Sequence, residues 1–414
     1  MFPIQFGKAE VVVYSCDGVK AEVSKDLLFD AEQLTKTVSF IVKSLDSEDE
    51  RWQKLHSQWD IESIKVVPIT NVFGLLPVSF RVIFKFRLTQ IESSVILKVR
   101  DNDVFSRICE SDNEFSRQDA LKSYAEMYQR EITFYKNVPT WANIPVPKMY
   151  GATSWSDDPR SHGTIVMEDV LRGGASQNPY NGLSFEQASA VMEHLAHFHA
   201  SCFLNPHFEE VLKRMSPLTA YFPTTSREVA VRAVREIDDA YFQNNFDDIR
   251  KFIFHGLVET KCTKQGLPKV IVHGQLRSWN ILFAKCLLGS ASSRVRGFIN
   301  WQHSHAGSPA EDITRLIVSA VNGEIRRQRL EELIEIYMRC LTKDLQRNGR
   351  VVPYHFKELV DAYSELYEEE VLSFFLSCAP FISSAHRLSQ RANDNEMRNL
   401  TCRLRDAYED LSHH

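Results

Sequence analysis

The order of apolar patterns along the chain limits the fold most strongly. Short runs of β-branched and aromatic residues, which are typical of strands, fill much of residues 64–99. From residue 183 onward, apolar residues recur at helical spacing over long segments, interrupted by short strand-like stretches at 269–272 and 296–299. Strands first and helices afterwards predict an α+β chain with a small β-rich N-lobe and a large helical C-lobe.

A chain of 414 residues is long enough to form more than one hydrophobic core. We expect residues 1–63 to form a helical N-terminal extension, because apolar residues recur at helical spacing between positions 34 and 45. Residues 64–171 are predicted to form the N-lobe, with an antiparallel sheet and a hinge. Residues 172–414 are predicted to form the C-lobe, and Gly173 and Gly174 lie at the boundary.

Charge and cysteine usage exclude some classes of protein. The net charge is −5, so no strongly basic face is expected for nucleic acid or an anionic membrane. The eight cysteines show no Cys-x-x-Cys pair, which favours reduced thiols. No signal peptide is predicted, and the most apolar stretch, 371–382, is shorter than the roughly 20 residues that span a bilayer. We therefore expect a cytoplasmic protein. These features do not identify a protein partner.

Two neighbouring segments carry the most specific pattern. Residues 272–283 read VHGQLRSWNILF, and residues 298–312 read FINWQHSHAGSPAED. Together they resemble the catalytic loop and the metal loop of the choline kinase-like and ecdysteroid kinase-like (CHK kinase-like) family. The resemblance extends as element order over roughly residues 64–400. It implies a two-lobed protein-kinase-like fold of the aminoglycoside phosphotransferase type, with ATP and Mg²⁺ as cofactors and a small-molecule ligand in the C-lobe cleft.

The resemblance assigns roles to residues of both motif segments. His273 and Asn280 match the catalytic loop, and Asn280 also matches a metal ligand. Gln275 stands where the family has the aspartate that orients the acceptor hydroxyl, and Asn300 stands where it has the aspartate that holds magnesium. Asp312 matches an acidic residue that braces the catalytic loop through hydrogen bonds.

The resemblance also points to residues that would handle the nucleotide. Lys98 is similar to the strand lysine that contacts the phosphates, and Glu131 to the helix glutamate that orients it. Met167 and Glu168 resemble the linker that reads the adenine edge. The phosphate-covering loop corresponds to residues 74–79, GLLPVS, where Gly74 and Ser79 match the family but a proline interrupts the pattern and supplies no N–H donor.

The two replaced carboxylates bear directly on the chemistry. Gln275 is neutral and cannot act as a base near pH 7, and lost general-base catalysis typically costs roughly 10²–10⁴-fold in rate. Asn300 offers Mg²⁺ an uncharged ligand at best. His273, His303 and His305 cluster in the sequence, but their spacing fits no standard zinc pattern, and structural histidines are favoured over a metal site.

Three functions are compatible with these residues. The first is a pseudokinase with weak or no ATP-dependent phosphotransfer. The second is an active kinase for the hydroxyl group of a steroid, a choline-like molecule or another metabolite. The third is a binding module for a ligand that is not a nucleotide. ATP binding followed with and without Mg²⁺ discriminates between them.

Overall fold

The computed structural model describes ten stretches of the chain: residues 11–16, 19–24, 29–69, 78–100, 114–153, 163–215, 224–256, 266–286, 290–387 and 394–413. The chain divides into two compact units. The first, here called the sheet unit, comprises Met1–Lys136 and Pro147–Arg172. The second, the helical unit, comprises Asn137–Val146 and Gly173–His414.

A seven-stranded sheet forms the centre of the sheet unit. Its strands, in chain order, are β1 (Val11–Cys16), β2 (Val19–Ser24), β3 (Ile61–Pro68), β4 (Val78–Phe86), β5 (Glu92–Arg100), β6 (Met149–Ala152) and β7 (Gly163–Glu168). The spatial order is β1-β2-β3-β4-β5-β7-β6. Neighbouring strands are antiparallel except for β2 and β3, which are parallel.

The prediction that the chain starts with a helical extension is wrong in its first part. Two strands precede the helices, and β2 pairs with β3, so the N-terminal segment belongs to the central sheet. The residues of β2 alternate in burial, as expected of a strand: Ala21 and Val23 are buried, while Lys20 and Glu22 are more accessible. Parallel strands need a crossover connection, and the helices α1 (Ala31–Glu48) and α2 (Glu50–His56) supply it.

Local sequence and core packing both hold this crossover in place. Asp30 begins α1 with a capping box, in which its side chain accepts a hydrogen bond from the backbone N–H of Gln33 at 2.8 Å. Trp52 of α2 is 1% exposed and packs edge-on against Phe84 and at a tilt against Phe86, with ring centroids 4.8 and 5.5 Å away. The crossover helices therefore contribute to the same apolar core as the sheet.

One long helix, α3 (Glu114–Asn137), completes the regular structure of the sheet unit. The helical unit contains nine described helices: α4 (Phe185–Leu204), α5 (Phe208–Arg214), α6 (Thr224–Arg235), α7 (Ala240–Asn244), α8 (Phe246–His255), α9 (Pro309–Ala320), α10 (Gly323–Arg347), α11 (Phe356–Arg387) and α12 (Asp394–Glu409). Ser184 begins α4 with a capping box, as its sequence predicts.

Short strands carry the two motif segments. A three-stranded sheet has the order β11-β10-β8, formed by β8 (Gly174–Ser176), β10 (Ile281–Lys285) and β11 (Ala291–Phe298). A two-stranded ladder joins β9 (Val270–Val272) to β12 (His305–Gly307). The catalytic-like loop therefore runs from β9 to β10, and the metal-like loop runs from β11 to β12.

The predicted fold class is confirmed: the molecule is α+β, with a β-sheet N-terminal region and a helical C-terminal region. Strand β4 coincides with the predicted segment 78–86. The boundary between the units differs in one respect, because Asn137–Val146 belongs to the helical unit. Gly74 lies outside the described residues. Among the described helices, none combines the length and the apolar character needed to cross a membrane.

Candidate functional site

Within the sheet unit, the predicted phosphate-contacting lysine meets its predicted partner. Lys98 lies on β5 and Glu131 on α3, and both are almost completely buried, at 6% and 2% exposed. The Lys98 Nζ lies 2.5 Å from Glu131 Oε1. Ser79 of β4 stands directly opposite Lys98 in the antiparallel register. A buried lysine needs such a partner, because an unpaired charge in the interior is costly.

The predicted linker residues also lie at one end of this sheet. Met167 is buried on β7, and Glu168 accepts a hydrogen bond from the backbone N–H of Lys148 through Oε2 at 3.2 Å. The next residue, Asp169, belongs to the same linker-like segment. Its carboxylate accepts two hydrogen bonds from Arg81, at 2.8 and 3.2 Å, and one from the Ser94 hydroxyl at 2.7 Å. These bonds fix the end of β7 to β4 and β5.

In the helical unit, Asp312 holds the start of the catalytic-like loop. Its Oδ2 accepts a hydrogen bond from the His273 N–H at 2.6 Å, and its Oδ1 accepts one from the Gly274 N–H at 3.1 Å. Gly274 has a positive φ of 76°, and a Cβ atom there would lie 2.3 Å from the His303 carbonyl oxygen. Burial raises the pKa of the Asp312 carboxyl to about 6, against the pull of Arg315.

His273 links the two loops through both nitrogens of its ring. Nδ1 accepts a hydrogen bond from the Gln275 N–H at 3.1 Å, and Nε2 lies 2.9 Å from the Ile299 carbonyl oxygen. A carbonyl oxygen can only accept, so Nε2 carries the hydrogen and the ring is the neutral tautomer. His273 also packs against Trp301, with ring centroids 4.4 Å apart. These contacts give His273 a role in joining the catalytic-like and metal-like loops.

A closed amide network occupies the positions that match metal ligands. Asn280 donates through Nδ2 to the Gln275 carbonyl oxygen, and Asn300 donates through Nδ2 to Asn280 Oδ1; both distances are 2.8 Å. The orientation of these amides follows from the first bond. Because the Gln275 carbonyl can only accept, Asn280 must turn its NH₂ group toward it and its oxygen toward Asn300.

The backbone of Asn300 explains part of this arrangement. Its φ of 67° and ψ of 55° lie in the left-handed region, which asparagine and aspartate enter more readily than most residues. Asn280 and Asn300 are buried, and Gln275 is half-buried. The substitution at 300 therefore keeps a residue that tolerates the backbone while it exchanges an acceptor oxygen for a donor.

Magnesium does not fit this set of residues. Mg²⁺ needs oxygen ligands in near-octahedral geometry and favours carboxylates. Asn280 Oδ1 already accepts a hydrogen bond, and the atom that Asn300 presents to it is an NH₂ group. In the part of the chain that the structure describes, no group of three or more His, Cys, Asp or Glu residues could hold a metal ion.

The remaining histidines of the motif make structural contacts. His305 Nδ1 lies 2.8 Å from the His303 carbonyl oxygen, and His305 Nε2 lies 2.8 Å from Glu311 Oε2. Glu311 also caps α9, because its Oε1 accepts from the Ser308 N–H. Burial of the Glu311 carboxyl is outweighed by its hydrogen bonds and by nearby positive charge, so its pKa is lowered. Sequence reasoning had not foreseen this pair.

The predicted site residues thus fall into two sets. One lies in the sheet unit, where Lys98 is opposite Ser79 and bonds Glu131, while Met167 and Glu168 lie on β7 opposite other residues of β5. The other lies in the helical unit, and its members are His273, Gln275, Asn280, Asn300 and Asp312. The signal that could have revealed the role of Glu311 is the Ser-x-x-Glu pattern of residues 308–311, which predicts a capping box.

Comparison with known proteins places the chain in a family. Residues 89–414 match the family DUF1679, which is described as "Uncharacterized oxidoreductase dhs-27". The chain belongs to this family. The activity in that description is not supported by the fold here, because dinucleotide-binding oxidoreductase folds use a mostly parallel sheet. Among the described strands of the sheet unit, only β2 and β3 are parallel.

Individual relatives carry kinase-like names. The chain is 21% identical over 289 residues to the uncharacterized kinase-like protein D1044.1 of Caenorhabditis elegans. The matched residues cover 66% of this chain and 70% of that protein. A macrolide 2'-phosphotransferase from Brachybacterium faecium, MphH, is 15% identical, with 86% and 98% of the two chains covered and a TM-score of 0.39. The GDP complex of aminoglycoside 2'-phosphotransferase-IIIa is 12% identical, with 88% of this chain and 99% of that chain covered and a TM-score of 0.41.

Proposed function

We propose that this protein is a pseudokinase of the CHK kinase-like type, in which magnesium-dependent phosphotransfer is weak or lost. One observation carries the proposal: Asn300 Nδ2 donates a hydrogen bond to Asn280 Oδ1 at 2.8 Å. The two side chains that match metal ligands bond each other, and neither of them is a carboxylate that could neutralise a cation.

The neutral side chain of Gln275 supports the same function. Phosphoryl transfer depends on positioning and on neutralising the charge of the transferred group, and a carboxylate normally orients the acceptor hydroxyl. Gln275 offers an amide, and its backbone is held by His273 and Asn280 on either side. The loop is therefore held by hydrogen bonds while it lacks the group that would take the proton.

Nucleotide binding is a separable property. The buried Lys98–Glu131 pair keeps a cation where the family contacts phosphates. Under the proposal, any binding of ATP is independent of magnesium, because the metal adds no favourable contacts to this site. Calorimetric titration with ATP in Mg²⁺ and in EDTA measures this directly. A much higher affinity in the presence of Mg²⁺ contradicts the proposal.

Restoring the two carboxylates tests the catalytic part. The double variant Gln275→Asp/Asn300→Asp is compared with wild type for ATP turnover against a metabolite extract. We expect wild type to be inactive and the double variant to gain turnover. The matched control is Gln243→Asp/Asn244→Asp, which makes the same substitutions at exposed positions of α7. Wild-type turnover at the roughly 1–100 s⁻¹ typical of kinases would refute the pseudokinase.

The intact Lys98–Glu131 pair also favours a second candidate, an active kinase for a small-molecule hydroxyl that works by positioning alone. The same assay separates the two functions, because this candidate requires wild-type turnover of an acceptor in the extract. Absence of ATP binding with and without Mg²⁺ would instead favour a module for a ligand that is not a nucleotide.

A further inference from the structure

Two arginines are buried in the helical unit without a hydrogen-bonded carboxylate. Arg277, in the catalytic-like loop, is 0% exposed, and Arg403, on α12, is 1% exposed. Arg277 donates from Nη2 to the Ser373 hydroxyl at 2.8 Å. Arg403 donates from Nη1 to the Ser319 carbonyl oxygen at 2.7 Å and from Nη2 to the Pro179 carbonyl oxygen. All of these partners are neutral.

Three nitrogens of these two guanidinium groups have no acceptor among the described residues. They are Nε and Nη1 of Arg277 and Nε of Arg403. The Ser278 hydroxyl, next to Arg277 in the chain, is buried and has no partner either. Buried polar groups are almost always hydrogen-bonded, and an unpaired buried charge costs several kcal/mol. These groups therefore call for an acceptor.

Two other arginines of the same unit do have carboxylate partners, although the Nη1 of each has no hydrogen bond. Arg326 donates from Nε and Nη2 to Asp410 at 2.9 and 2.6 Å. Arg315 donates from Nε to Glu370 at 3.0 Å and also from Nη2. Glu370 is the carboxylate with the largest attraction for Arg277, yet both of its oxygens are bonded to Arg315. The positive charge of Arg277 is thus only partly balanced.

Both guanidinium groups contact adjacent residues of α11: Arg277 bonds the Ser373 hydroxyl, and the Arg403 Cζ is 5.8 Å from the centroid of the Phe374 ring. Cys378 of α11 is 0% exposed, and burial raises its pKa to about 12 although Arg277 and Arg403 both pull it down. Three aromatic rings lie beside this cluster. The ring of Phe381 contacts those of Trp279 and Tyr180 edge-on, with centroids 5.4 and 6.4 Å away. The Arg277 Cζ is 5.7 Å from the centroid of the Trp279 ring.

We propose that Arg277 and Arg403 form the anion-binding end of a ligand site in the helical unit, with Tyr180, Trp279 and Phe381 as its apolar wall. The ligand class is a small organic acid whose carboxylate or phosphate group lies between the guanidinium groups and whose apolar body packs on the rings. Phe381 is half-buried, so the aromatic end is the more accessible one. The site needs neither ATP nor magnesium and does not rest on the loss of phosphotransfer.

Thermal unfolding of the full chain tests the site with three probes at constant ionic strength: phenyl phosphate, inorganic phosphate and phenol. We expect phenyl phosphate at about one hundred times its Kd to raise Tm by roughly 5 °C, because a ligand that binds only the folded state stabilises it. Phenol should have no effect. If inorganic phosphate is as effective as phenyl phosphate, the organic part of the proposal is overturned.

Arg277→Met removes one cation and should abolish the response to phenyl phosphate. The control is Arg339→Met, at an exposed position of α10, which should respond as wild type does. An equal response in both variants shows a non-specific salt effect and overturns the proposal. The absence of any response in wild type also overturns the proposal, because buried water would then be the hydrogen-bond partner of these nitrogens.

A second pair of variants guards against misfolding of Arg277→Met. Cys378→Asp places a carboxylate near both guanidinium groups, so it should fold with at least the wild-type Tm and lose the response to phenyl phosphate. Cys378→Ser keeps the residue neutral and should retain the response. If Cys378→Asp fails to fold while Cys378→Ser folds, the position beside the two arginines does not bind an anion, and the proposal is overturned. ATP binding in Mg²⁺ is measured separately and reports only on the proposed loss of phosphotransfer.

Discussion

At the scale of single residues, the chemistry of the site depends on which atom an amide presents. Aspartate and asparagine have almost the same shape, and both tolerate the left-handed backbone at position 300. Asparagine differs in offering a donor, and the donor bonds Asn280 Oδ1. A change that hardly alters the volume thus turns a position that would attract a cation into one that completes a hydrogen-bond network.

Asn300→Asp should make stability depend on magnesium. The new carboxylate oxygen would face Asn280 Oδ1, so two acceptors would meet where a hydrogen bond lies now. We expect the free energy of unfolding in EDTA to fall by roughly 1–3 kcal/mol. Mg²⁺ should recover part of this loss in the variant and leave wild type unchanged. Urea unfolding measures both effects, with Asn244→Asp as the control; equal stability of variant and wild type in EDTA would contradict the network.

The Lys98–Glu131 pair should behave as a buried ion pair. Lys98→Met leaves the Glu131 carboxylate buried without its cation, and we expect a loss of roughly 3–5 kcal/mol in the free energy of unfolding. The double variant Lys98→Met/Glu131→Gln should lose less. Lys85→Met provides the surface control, because the Lys85–Glu62 pair is 42% and 45% exposed and should contribute at most about 1 kcal/mol. Losses that simply add in the double variant would exclude a coupled pair.

At the scale of elements, α9 and the catalytic-like loop are joined through one carboxylate. Asp312 lies in the first turn of α9, where an acidic side chain is favourable, and it accepts hydrogen bonds from two backbone N–H groups of the loop. Glu311, one residue earlier, bonds both the N-cap of the helix and His305 of β12. The start of this helix therefore sets the positions of both motif loops.

The buried carboxyl of Asp312 should make stability fall as pH rises. Its pKa is about 6 in the folded protein against an ordinary value of 3.8, so the folded state binds the proton more tightly. The stabilisation that results is complete below about pH 4 and is lost as pH rises through about 6, for a total of about 3 kcal/mol. The difference in unfolding free energy between wild type and Asp312→Asn should decrease over this range. An increase would mean that the hydrogen bonds to the ionised form outweigh burial.

At the scale of the whole molecule, two units each have their own regular structure. The core of the sheet unit includes residues from β2, the crossover helices and the central strands. The helical unit contains both motif loops and the two buried arginines that have no hydrogen-bonded carboxylate. A molecule built in this way can lose local structure in one unit at a lower cost than global unfolding.

Trp52→Ala should loosen the sheet unit selectively. Removing this side chain leaves a cavity beside Phe84 and Phe86, and a buried aromatic typically costs roughly 3–5 kcal/mol when truncated to alanine. Hydrogen exchange should accelerate in β3 and β4 while α9 keeps its protection. Trp59→Ala is the control, because Trp59 is 37% exposed. Uniform acceleration in both units would show that the molecule opens as a single cooperative body.

Much of the fold could be predicted because its signals are local. The β4 strand and the capping box at Ser184 were predicted from neighbouring residues, whose patterning and side-chain hydrogen bonds act within a few positions. The strand at Val19–Ser24 was missed because it is short and follows another short strand. Its stability comes from the parallel pairing with β3, about forty residues further along the chain.

The sequence by itself determined the order of strands and helices, the positions of the two motif loops and the absence of carboxylates at positions 275 and 300. Only the tertiary structure decided that Asn300 bonds Asn280, that the first strands join the central sheet, and that Arg277 and Arg403 are buried without a hydrogen-bonded carboxylate. The physical reason is range: periodicity and capping depend on neighbours in the chain, whereas compensation of a buried charge depends on groups that only folding brings together.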